Sequence, residues 1–175
     1  MKKHELTDDT ITVGGRILHR IKALKSFSDV EEGDLGGYVE KEDNLDHSGE
    51  AWVSGNARVY GNAWVYGDAW VYGDARVSGD ARVYGNARVY GDARVSGDAR
   101  VSGENDYAAA KGFGREYRTT TFFRLQDGGI GVRCGCFCGT LEEFREKVKE
   151  THKESKMGKE YLMLADLMEY KFKNA

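Results

Sequence analysis

The sequence contains no proline, only three cysteines and no long apolar run. Without proline, the sharp bends of the 175-residue chain have to be made by its 23 glycines and by Asp or Asn. The apolar runs are too short for a signal peptide or a membrane span, so we expect no membrane association. Three cysteines, an odd number lying close together, predict a reducing compartment and hence a cytoplasmic location.

The sequence also lacks a strong charge of either sign, since the net charge is −3. Residues 1–48 carry seven basic and eleven acidic residues, residues 49–102 carry six of each, and residues 103–175 carry thirteen and twelve. None of these parts has the basic excess of a general nucleic-acid binder, so we expect no general nucleic-acid binding. A single small site for an anion is not excluded.

What the sequence does contain is a strict repeat of six residues. From Gly49 to Ser102, nine consecutive hexads read Gly-[Asp/Asn/Glu]-Ala-[Arg/Trp]-Val-[Tyr/Ser] without an insertion. Six residues cannot bury an apolar face alone, so the hexads must stack on one another as a solenoid. Ala and Val stand two apart and therefore point inward from a short strand, while Arg or Trp points outward and Gly forms the corner.

This pattern resembles the hexapeptide-repeat left-handed β-helix superfamily, which includes trimeric acyltransferases. The hexad sequence Gly-Asp-Ala-Arg-Val-Tyr resembles hexapeptide-repeat proteins of phages and prophages in particular, as do the flanking segments Gly33–Glu40 and Cys134–Leu141. The resemblance implies three hexads per 18-residue coil, a homotrimer, and a phage protein acting in the cytoplasm of a bacterial host cell. It implies an architecture more than a chemistry.

With three hexads per coil, residues 18 apart stack about 4.8 Å from each other. The three outward columns are then Trp52, Trp70 and Arg88; Arg58, Arg76 and Arg94; and Trp64, Arg82 and Arg100. Stacked like charges are unfavourable, so the column of three arginines invites an anion. That anion can be a carboxylate of another subunit, a small-molecule phosphate or a solvent counterion. Large outward aromatics mark contacts, and we predict an oligomer interface at Trp52, Trp64 and Trp70.

The segments on either side of the hexads predict two caps. We assign residues 1–36 to an N-terminal hairpin around Gly14-Gly15, residues 37–103 to the left-handed β-helix, and residues 104–175 to a C-terminal cap. Counting back by six places Val39 and Leu45 at the inward Ala position. The same count places His47 where the inward Val stands in a regular hexad.

The C-terminal part predicts two strands followed by two helices. Strands at residues 115–125 and 130–137 flank a turn at Asp127-Gly128-Gly129. Thr140 and Glu143 form a capping box for the first helix. The second helix carries its apolar stripe at helical spacing, on Tyr161, Leu164, Ala165, Met168 and Phe172. The fold class is therefore mainly β, a left-handed parallel β-helix with an N-terminal β-hairpin and a C-terminal ββαα cap.

Basic residues and hydroxyls of the predicted C-terminal hairpin form the best candidate site for an anionic small molecule. Together with the arginine column, the predicted ligand-binding residues are Arg58, Arg76, Arg94, Lys111, Arg115, Tyr117, Arg118, Thr120 and Arg124. An ordinary exposed hairpin surface is the alternative interpretation.

Residues that suggest catalysis or metal binding are sparse. His19 has no acid or nucleophile at a recognisable spacing and is expected to bond locally. His47 is the only histidine of the solenoid span and stands at its end, where it is a weak candidate for the general base of an acyltransferase. Cys134, Cys136 and Cys138 alternate along a predicted strand, about 6.8 Å apart on one face, which favours buried thiols over a zinc site. We predict no catalytic residue, no cofactor and no metal.

The function expected from the sequence is therefore non-enzymatic binding. An oligomer sequesters an anionic small molecule or a nucleotide-like host signal between subunits or against the cap. Two alternatives remain open, a structural scaffold that holds a protein partner and a hexapeptide acyltransferase.

Overall fold

The computed structural model describes residues 1–174, which form strands β1–β16 and helices α1 and α2. The strands are β1 (His4–Val13), β2 (Arg16–Ala23), β3 (Leu35–Val39), β4 (Trp52–Val53), β5 (Arg58–Val59), β6 (Trp64–Val65), β7 (Trp70–Val71), β8 (Arg76–Val77), β9 (Arg82–Val83), β10 (Arg88–Val89), β11 (Arg94–Val95), β12 (Arg100–Val101), β13 (Tyr107–Phe113), β14 (Arg118–Arg124), β15 (Ile130–Cys134) and β16 (Phe137–Thr140). The helices are α1 (Leu141–His152) and α2 (Lys156–Lys173).

The nine hexads form a parallel β-solenoid with three hexads per coil. Each hexad contributes a two-residue strand that pairs with the strand 18 residues later, giving the columns β4-β7-β10, β5-β8-β11 and β6-β9-β12. The alanines and valines of all nine hexads are buried and fill the interior. The mainly β solenoid and its three outward columns are therefore confirmed.

Outside the paired strand residues, many hydrogen bonds between coils run from an N–H group of one coil to a carbonyl of the next. The N–H of Trp52 donates to the carbonyl of Ala69 at 3.0 Å, and the N–H of Trp70 donates to the carbonyl of Ala87 at 2.9 Å. The first coil is consequently left with carbonyls that no earlier coil of hexads can bond, and the last coil is left with N–H groups. Because buried backbone groups need partners, these carbonyls require donors from a cap at the first coil, and these N–H groups require acceptors from a cap at the last coil.

The N-terminal part supplies hydrogen-bond donors to the first coil. The buried side-chain amide of Asn44 donates to the carbonyls of Gly61 at 3.2 Å and Ala63 at 2.8 Å, and the Nζ of Lys3 donates to the carbonyl of Ala51 at 2.7 Å. In this part of the chain, Val39 pairs with Val59 and Leu45 pairs with Val65.

This pairing corrects the expected register of the segment before the hexads. Val39 and Leu45 stand in the Val columns, two positions away from the Ala position that a count by six assigns to them. The step is accommodated between Leu45 and Ala51, where the chain leaves the hexad pattern. His47 consequently does not replace an inward Val.

The N-terminal hairpin is confirmed and is joined to one column of the solenoid. β1 and β2 pair antiparallel on either side of Gly14-Gly15, β3 pairs antiparallel with β2, and β3 runs parallel to β5. The hairpin thus extends the arginine column into a six-stranded sheet of order β1-β2-β3-β5-β8-β11.

The C-terminal cap has four antiparallel strands, in the order β13-β14-β15-β16, where the sequence analysis expected two. The strand expected at residues 130–137 turns back at Gly135-Cys136, so that Cys134 pairs with Phe137. Gly135 adopts a φ of +59°, which a two-residue hairpin turn requires and a residue without a Cβ adopts at little cost. The first strand of this sheet, β13, includes the three alanines Ala108, Ala109 and Ala110.

The four-stranded sheet of the cap lies between the last coil of the solenoid and the two helices. Phe123 and Tyr107 join the core of the solenoid, whereas Phe122 packs with the helices. The Oγ1 of Thr121 accepts a hydrogen bond from the N–H of Arg94 at 2.9 Å, which provides one of the acceptors that the last coil needs. The cap therefore closes the end of its own solenoid.

The capping box predicted for the first helix and the apolar face predicted for the second are confirmed. Thr140 and Glu143 form the capping box, and the predicted stripe of α2 is buried against α1 and the sheet. Arg145 of α1 donates to Asp166 at 2.8 Å and to Glu169 at 2.6 Å, which links the helices at their exposed side. Neither helix is long and apolar enough to cross a membrane within residues 1–174.

Candidate anion-binding cleft

A cleft of about 330 Å³ lies where the arginine column meets the C-terminal cap. The solenoid contributes Arg76 from β8 and Arg94 from β11, because residues 18 apart project side by side from one column. The cap contributes Lys111 from β13 and Arg118 from β14. The full lining is Asp74, Arg76, Asp92, Arg94, Lys111, Glu116, Tyr117, Arg118, Thr119 and Gly135.

Arg94 lies at the centre of the positive charge in this cleft. Its pKa is lowered first by burial and then by the nearby guanidinium groups of Arg76, Arg133 and Arg118. Its Nη1 is 3.5 Å from the carbonyl oxygen of Gly135, at the limit of a hydrogen bond. Among residues 1–174, no carboxylate oxygen lies within 4.0 Å of the guanidinium nitrogens of Arg76, Arg94 or Arg118. The three guanidinium groups therefore keep their capacity to bind an anion.

Lys111 differs from the arginines because its charge is already paired. Its Nζ donates to Asp92 Oδ2 at 2.6 Å, which raises the pKa of Lys111 and holds the pKa of Asp92 below its usual value. This exposed pair ties the cap to the solenoid corner. Among residues 1–174, the arginines are therefore the cations of the lining that have no carboxylate partner.

Tyr117 provides an aromatic surface at the mouth of the cleft. It lies in the turn between β13 and β14, has a φ of +49° and exposes 69% of its surface. A tyrosine held in the left-handed region with most of its surface exposed gains little packing energy within its own chain. Its ring is free to stack on a flat group bound beside the arginines.

The structure brings together five of the nine predicted ligand-binding residues, namely Arg76, Arg94, Lys111, Tyr117 and Arg118. Arg58 lies one coil further from the cap than Arg76, between Tyr38 and Arg76. Arg115 lines a neighbouring hollow. Whether the five residues bind an anion stays a prediction.

Thr120 and Arg124 are misplaced in the prediction. Thr120 is buried on the opposite side of β14 and donates to the sulfur of Cys134 at 3.2 Å. Arg124 donates to the carbonyl of Phe172 at 2.8 Å and lies at the far end of the strand. The hydroxyl that lines the cleft is that of Thr119, which strand parity would have identified once the ends of β14 were known.

Sequence reasoning also missed the acidic side of the lining and the turn at Gly135. Asp74 and Asp92 are corner residues of the same column, so their position followed from the 18-residue period. Glu116 and Gly135 reach the cleft only because β13, β14 and β15 pair side by side. No local sequence pattern predicts that pairing. The cleft thus contains three carboxylates besides its four basic residues.

The three tryptophans differ in their exposure, and one of them corrects the predicted interface. Trp52 is only 2% exposed because its own chain covers it, with the ring of Phe27 5.5 Å away in an edge-on arrangement. It cannot therefore serve as an oligomer contact. Trp70 is half-buried, and Trp64 is 36% exposed and stacks on Tyr66 at 4.0 Å.

The cysteines differ from the buried thiols that the sequence predicted. Cys136 and Cys138 are exposed and Cys134 is half-buried, because the turn at Gly135 interrupts the expected strand. In residues 1–174, no three His, Cys, Asp or Glu side chains come together as a metal-binding group.

The histidines are occupied by local contacts. His19 Nδ1 lies 3.0 Å from the carbonyl of Thr7, so its predicted local bond is confirmed. His47 Nδ1 accepts a hydrogen bond from the N–H of Lys3 at 3.2 Å, and its ring stacks on His4. His47 is thus part of the N-terminal cap.

The repeat also matches a known family. The family described as the YdcK beta solenoid repeat matches residues 51–67, 69–85 and 81–94. These residues lie within the regular hexads and include Arg76 and Arg94. No curated protein matches the chain. Between residues 51 and 94, the chain is therefore similar to a recognised β-solenoid repeat, in agreement with its parallel coils.

Proposed function

We propose that this protein is a non-enzymatic binding protein that holds an anionic small molecule in the cleft between its solenoid and its C-terminal cap. The observation that carries the proposal is the convergence of Arg76, Arg94 and Arg118 from two separate parts of the fold, none with a carboxylate within 4.0 Å among residues 1–174. Keeping like charges together is unfavourable, and an anion relieves that cost. Guanidinium groups match the geometry of phosphate and carboxylate oxygens.

The ligand class that fits this lining best is nucleotide-like. Phosphate oxygens bind to Arg76 and Arg94, and a flat base or ring stacks on the exposed Tyr117. The carboxylates of Asp74 and Asp92 are acceptors for ribose hydroxyls beside the phosphate. Sequestration of such a molecule requires no catalytic group.

Isothermal titration calorimetry with cyclic nucleotides, ADP-ribose derivatives and inorganic phosphate tests the proposal. We expect micromolar binding of at least one phosphate compound, with an affinity that falls as the salt concentration rises. The variant Arg94→Gln removes the central guanidinium and should weaken binding about tenfold or more. Arg82→Gln is the matched control, because Arg82 has the same place in its hexad but projects from another column. The absence of any binder in the panel would reject the proposed function.

We further propose that the protein acts as a homotrimer encoded by a phage or prophage, in the cytoplasm of the bacterial host. The support for this is the resemblance of the hexads and their flanking segments to proteins of that kind, together with the partly exposed Trp64 and Trp70. Light scattering coupled to size-exclusion chromatography measures the mass directly. A monomer at micromolar concentration would contradict the trimer and leave the cleft within one chain unaffected.

An aromatic stack beside the third column, in which Trp64 is exposed and Tyr66 and Tyr84 are half-buried, favours a second candidate function, a scaffold that holds a protein partner. Trp64, Tyr66 and Tyr84 stack with ring centroids 4.0 Å and 5.0 Å apart. Aromatic surfaces of this kind are common in protein interfaces. A Trp64→Ala variant that loses a captured protein but keeps small-molecule binding would support the scaffold, and loss of neither would exclude this surface.

A further inference from the structure

A second hollow lies directly beside the arginine cleft, and its walls are apolar. We call it the aromatic hollow. It has a volume of about 310 Å³. Its apolar walls are formed by Phe137, Phe144, Val148 and Tyr161. They come from the cap sheet and from α1 and α2.

Two polar groups inside the aromatic hollow, those of Cys134 and Tyr161, already have partners. The sulfur of Cys134 accepts a hydrogen bond from Thr120 at 3.2 Å, and the hydroxyl of Tyr161 donates to the carbonyl of Phe113 at 3.2 Å. Burial raises the pKa of Tyr161 to about 12, so its hydroxyl carries no charge at neutral pH. What the hollow offers to an occupant is therefore aromatic and aliphatic surface.

The entrance of the aromatic hollow has the opposite character. Arg115 and Arg118 stand around it with one acid of the lining, Glu116, while Lys147 pairs with Glu150 at 3.0 Å. An occupant that is apolar throughout would not use this charge, whereas one with an anionic end would.

The hollow and the cleft share one wall, made of Glu116, Arg118 and Gly135. The Arg118 side chain lies across Gly135, since a Cβ built on Gly135 would lie 2.6 Å from Nη1 of Arg118. Arg94 approaches the same residue from the cleft, with its Nη1 3.5 Å from the carbonyl oxygen. A flexible arginine side chain over a glycine is thus the wall between an arginine-lined space and an aromatic one.

We infer that the cleft and the aromatic hollow are two halves of one site, which takes an organic anion with its charged group at Arg94 and a ring system in the aromatic hollow. This inference rests on the proposed function and narrows it to anions that carry an aromatic group, as opposed to inorganic anions or fully polar sugar phosphates. It places the ring in the aromatic hollow, in place of the stacking on Tyr117. Arg118 belongs to both halves and contacts the region where the anion and the ring are joined.

The test compares 1-naphthyl phosphate with inorganic phosphate by calorimetry on the full chain. We expect 1-naphthyl phosphate to bind about tenfold or more tightly, because its ring leaves water when it enters the hollow. Thr151→Trp, at an exposed position of α1 on the rim, fills the hollow and should abolish this preference while leaving inorganic phosphate binding unchanged. Lys149→Trp is the control, an exposed position of the same helix outside the hollow. Arg94→Gln should weaken both compounds.

Each remaining outcome decides between the two proposals. Equal affinities, or a preference that survives Thr151→Trp, would overturn the aromatic half and leave the proposed function in place. A 1-naphthyl phosphate affinity that is insensitive to Arg94→Gln would show that the hollow binds by itself, which overturns the joined site. Failure of both compounds to bind the unmodified protein would reject the proposed function. Circular dichroism checks the fold of Thr151→Trp, and Thr151→Phe is the second variant if tryptophan is not tolerated.

Discussion

His4 is buried in the N-terminal cap in a setting that makes the fold sensitive to acid. Its ring stacks on His47 with centroids 4.2 Å apart, and neither ring nitrogen of His4 has a hydrogen-bond partner among the described residues 1–174. Burial first, and then the nearby His47, Lys3 and Lys2, lower the pKa of His4 from 6.5 to about 3, against a small opposing effect of Glu42. Protonation of His4 therefore favours the unfolded chain.

The pKa values set the size and direction of the effect. Because the folded pKa lies below the unfolded one, stability is full above pH 6.5 and is lost as the pH falls toward 3. Between about pH 7.5 and about pH 5, this single group should reduce the free energy of unfolding by about 2 kcal/mol. Urea unfolding followed by tryptophan fluorescence measures it, since Trp52 is buried against Phe27 at the same end of the solenoid.

The variant His4→Phe isolates this contribution. Phenylalanine keeps the stacked ring but cannot be protonated. As the pH falls over the same range, the variant should therefore lose about 2 kcal/mol less of its free energy of unfolding than the unmodified protein. His152→Gln, in the C-terminal cap, is the control and leaves the N-terminal cap unchanged. If His4→Phe and the unmodified protein lose stability in parallel, the buried neutral His4 is not the cause and the reasoning is refuted.

Three further predictions concern the stability of the fold, and urea unfolding measures each. Val71→Ala empties part of the fully buried interior and should cost about 2 kcal/mol, whereas no loss would contradict a packed core. Gly67→Ala places a Cβ 3.2 Å from the backbone of the next coil and should cost more stability than Gly97→Ala. Gly97 has a positive φ as well, but a Cβ there meets nothing within 4 Å. Equal losses of stability in the two variants would exclude the steric effect. Thr140→Ala removes the oxygen that accepts from the N–H of Glu143 and should cost about 1 kcal/mol, and an unchanged midpoint would mean that the capping box is not used.

The hexads could be predicted from the sequence because their pattern and their geometry have the same period. Each short strand points its Ala and its Val inward, and a Gly follows at each corner. This pattern determines which residues stack on one another. The pairing of Arg76 with Arg94, and of Trp52 with Trp70, followed from a count of 18 residues. The part of the cleft that belongs to the solenoid was therefore predictable.

The ends of the solenoid were not predictable in the same way. The side-chain amide of Asn44 donates to carbonyls that backbone N–H groups bond elsewhere in the solenoid. The segment before the hexads therefore does not need the hexad spacing, and its pairing register with the first coil shifts by two residues. In the C-terminal cap, a two-residue turn at Gly135 reverses a segment that reads as one strand. That glycine, with short alternating segments on both sides, was the available signal.

The cap's share of the site depends on which side of β14 each residue faces. Thr119 and Thr120 are equivalent by composition, and the alternation of side chains along β14 places Thr119 at the cleft and Thr120 on the buried opposite side. Trp52 was assigned to an interface because an outward indole has no partner within the hexads. The N-terminal hairpin supplies that partner through Phe27, at a distance in sequence that no repeat pattern contains.

The three-hexad coil also restricts how the length of this protein can change. Insertion or deletion of three hexads keeps the N-terminal hairpin and the C-terminal cap on the same side of the molecule, since the columns repeat every 18 residues. A change of one hexad would rotate one end against the other by a third of a turn. Relatives of different length are therefore expected to differ by whole coils if a partner or a second subunit touches both ends at once, and by single hexads if the ends act independently.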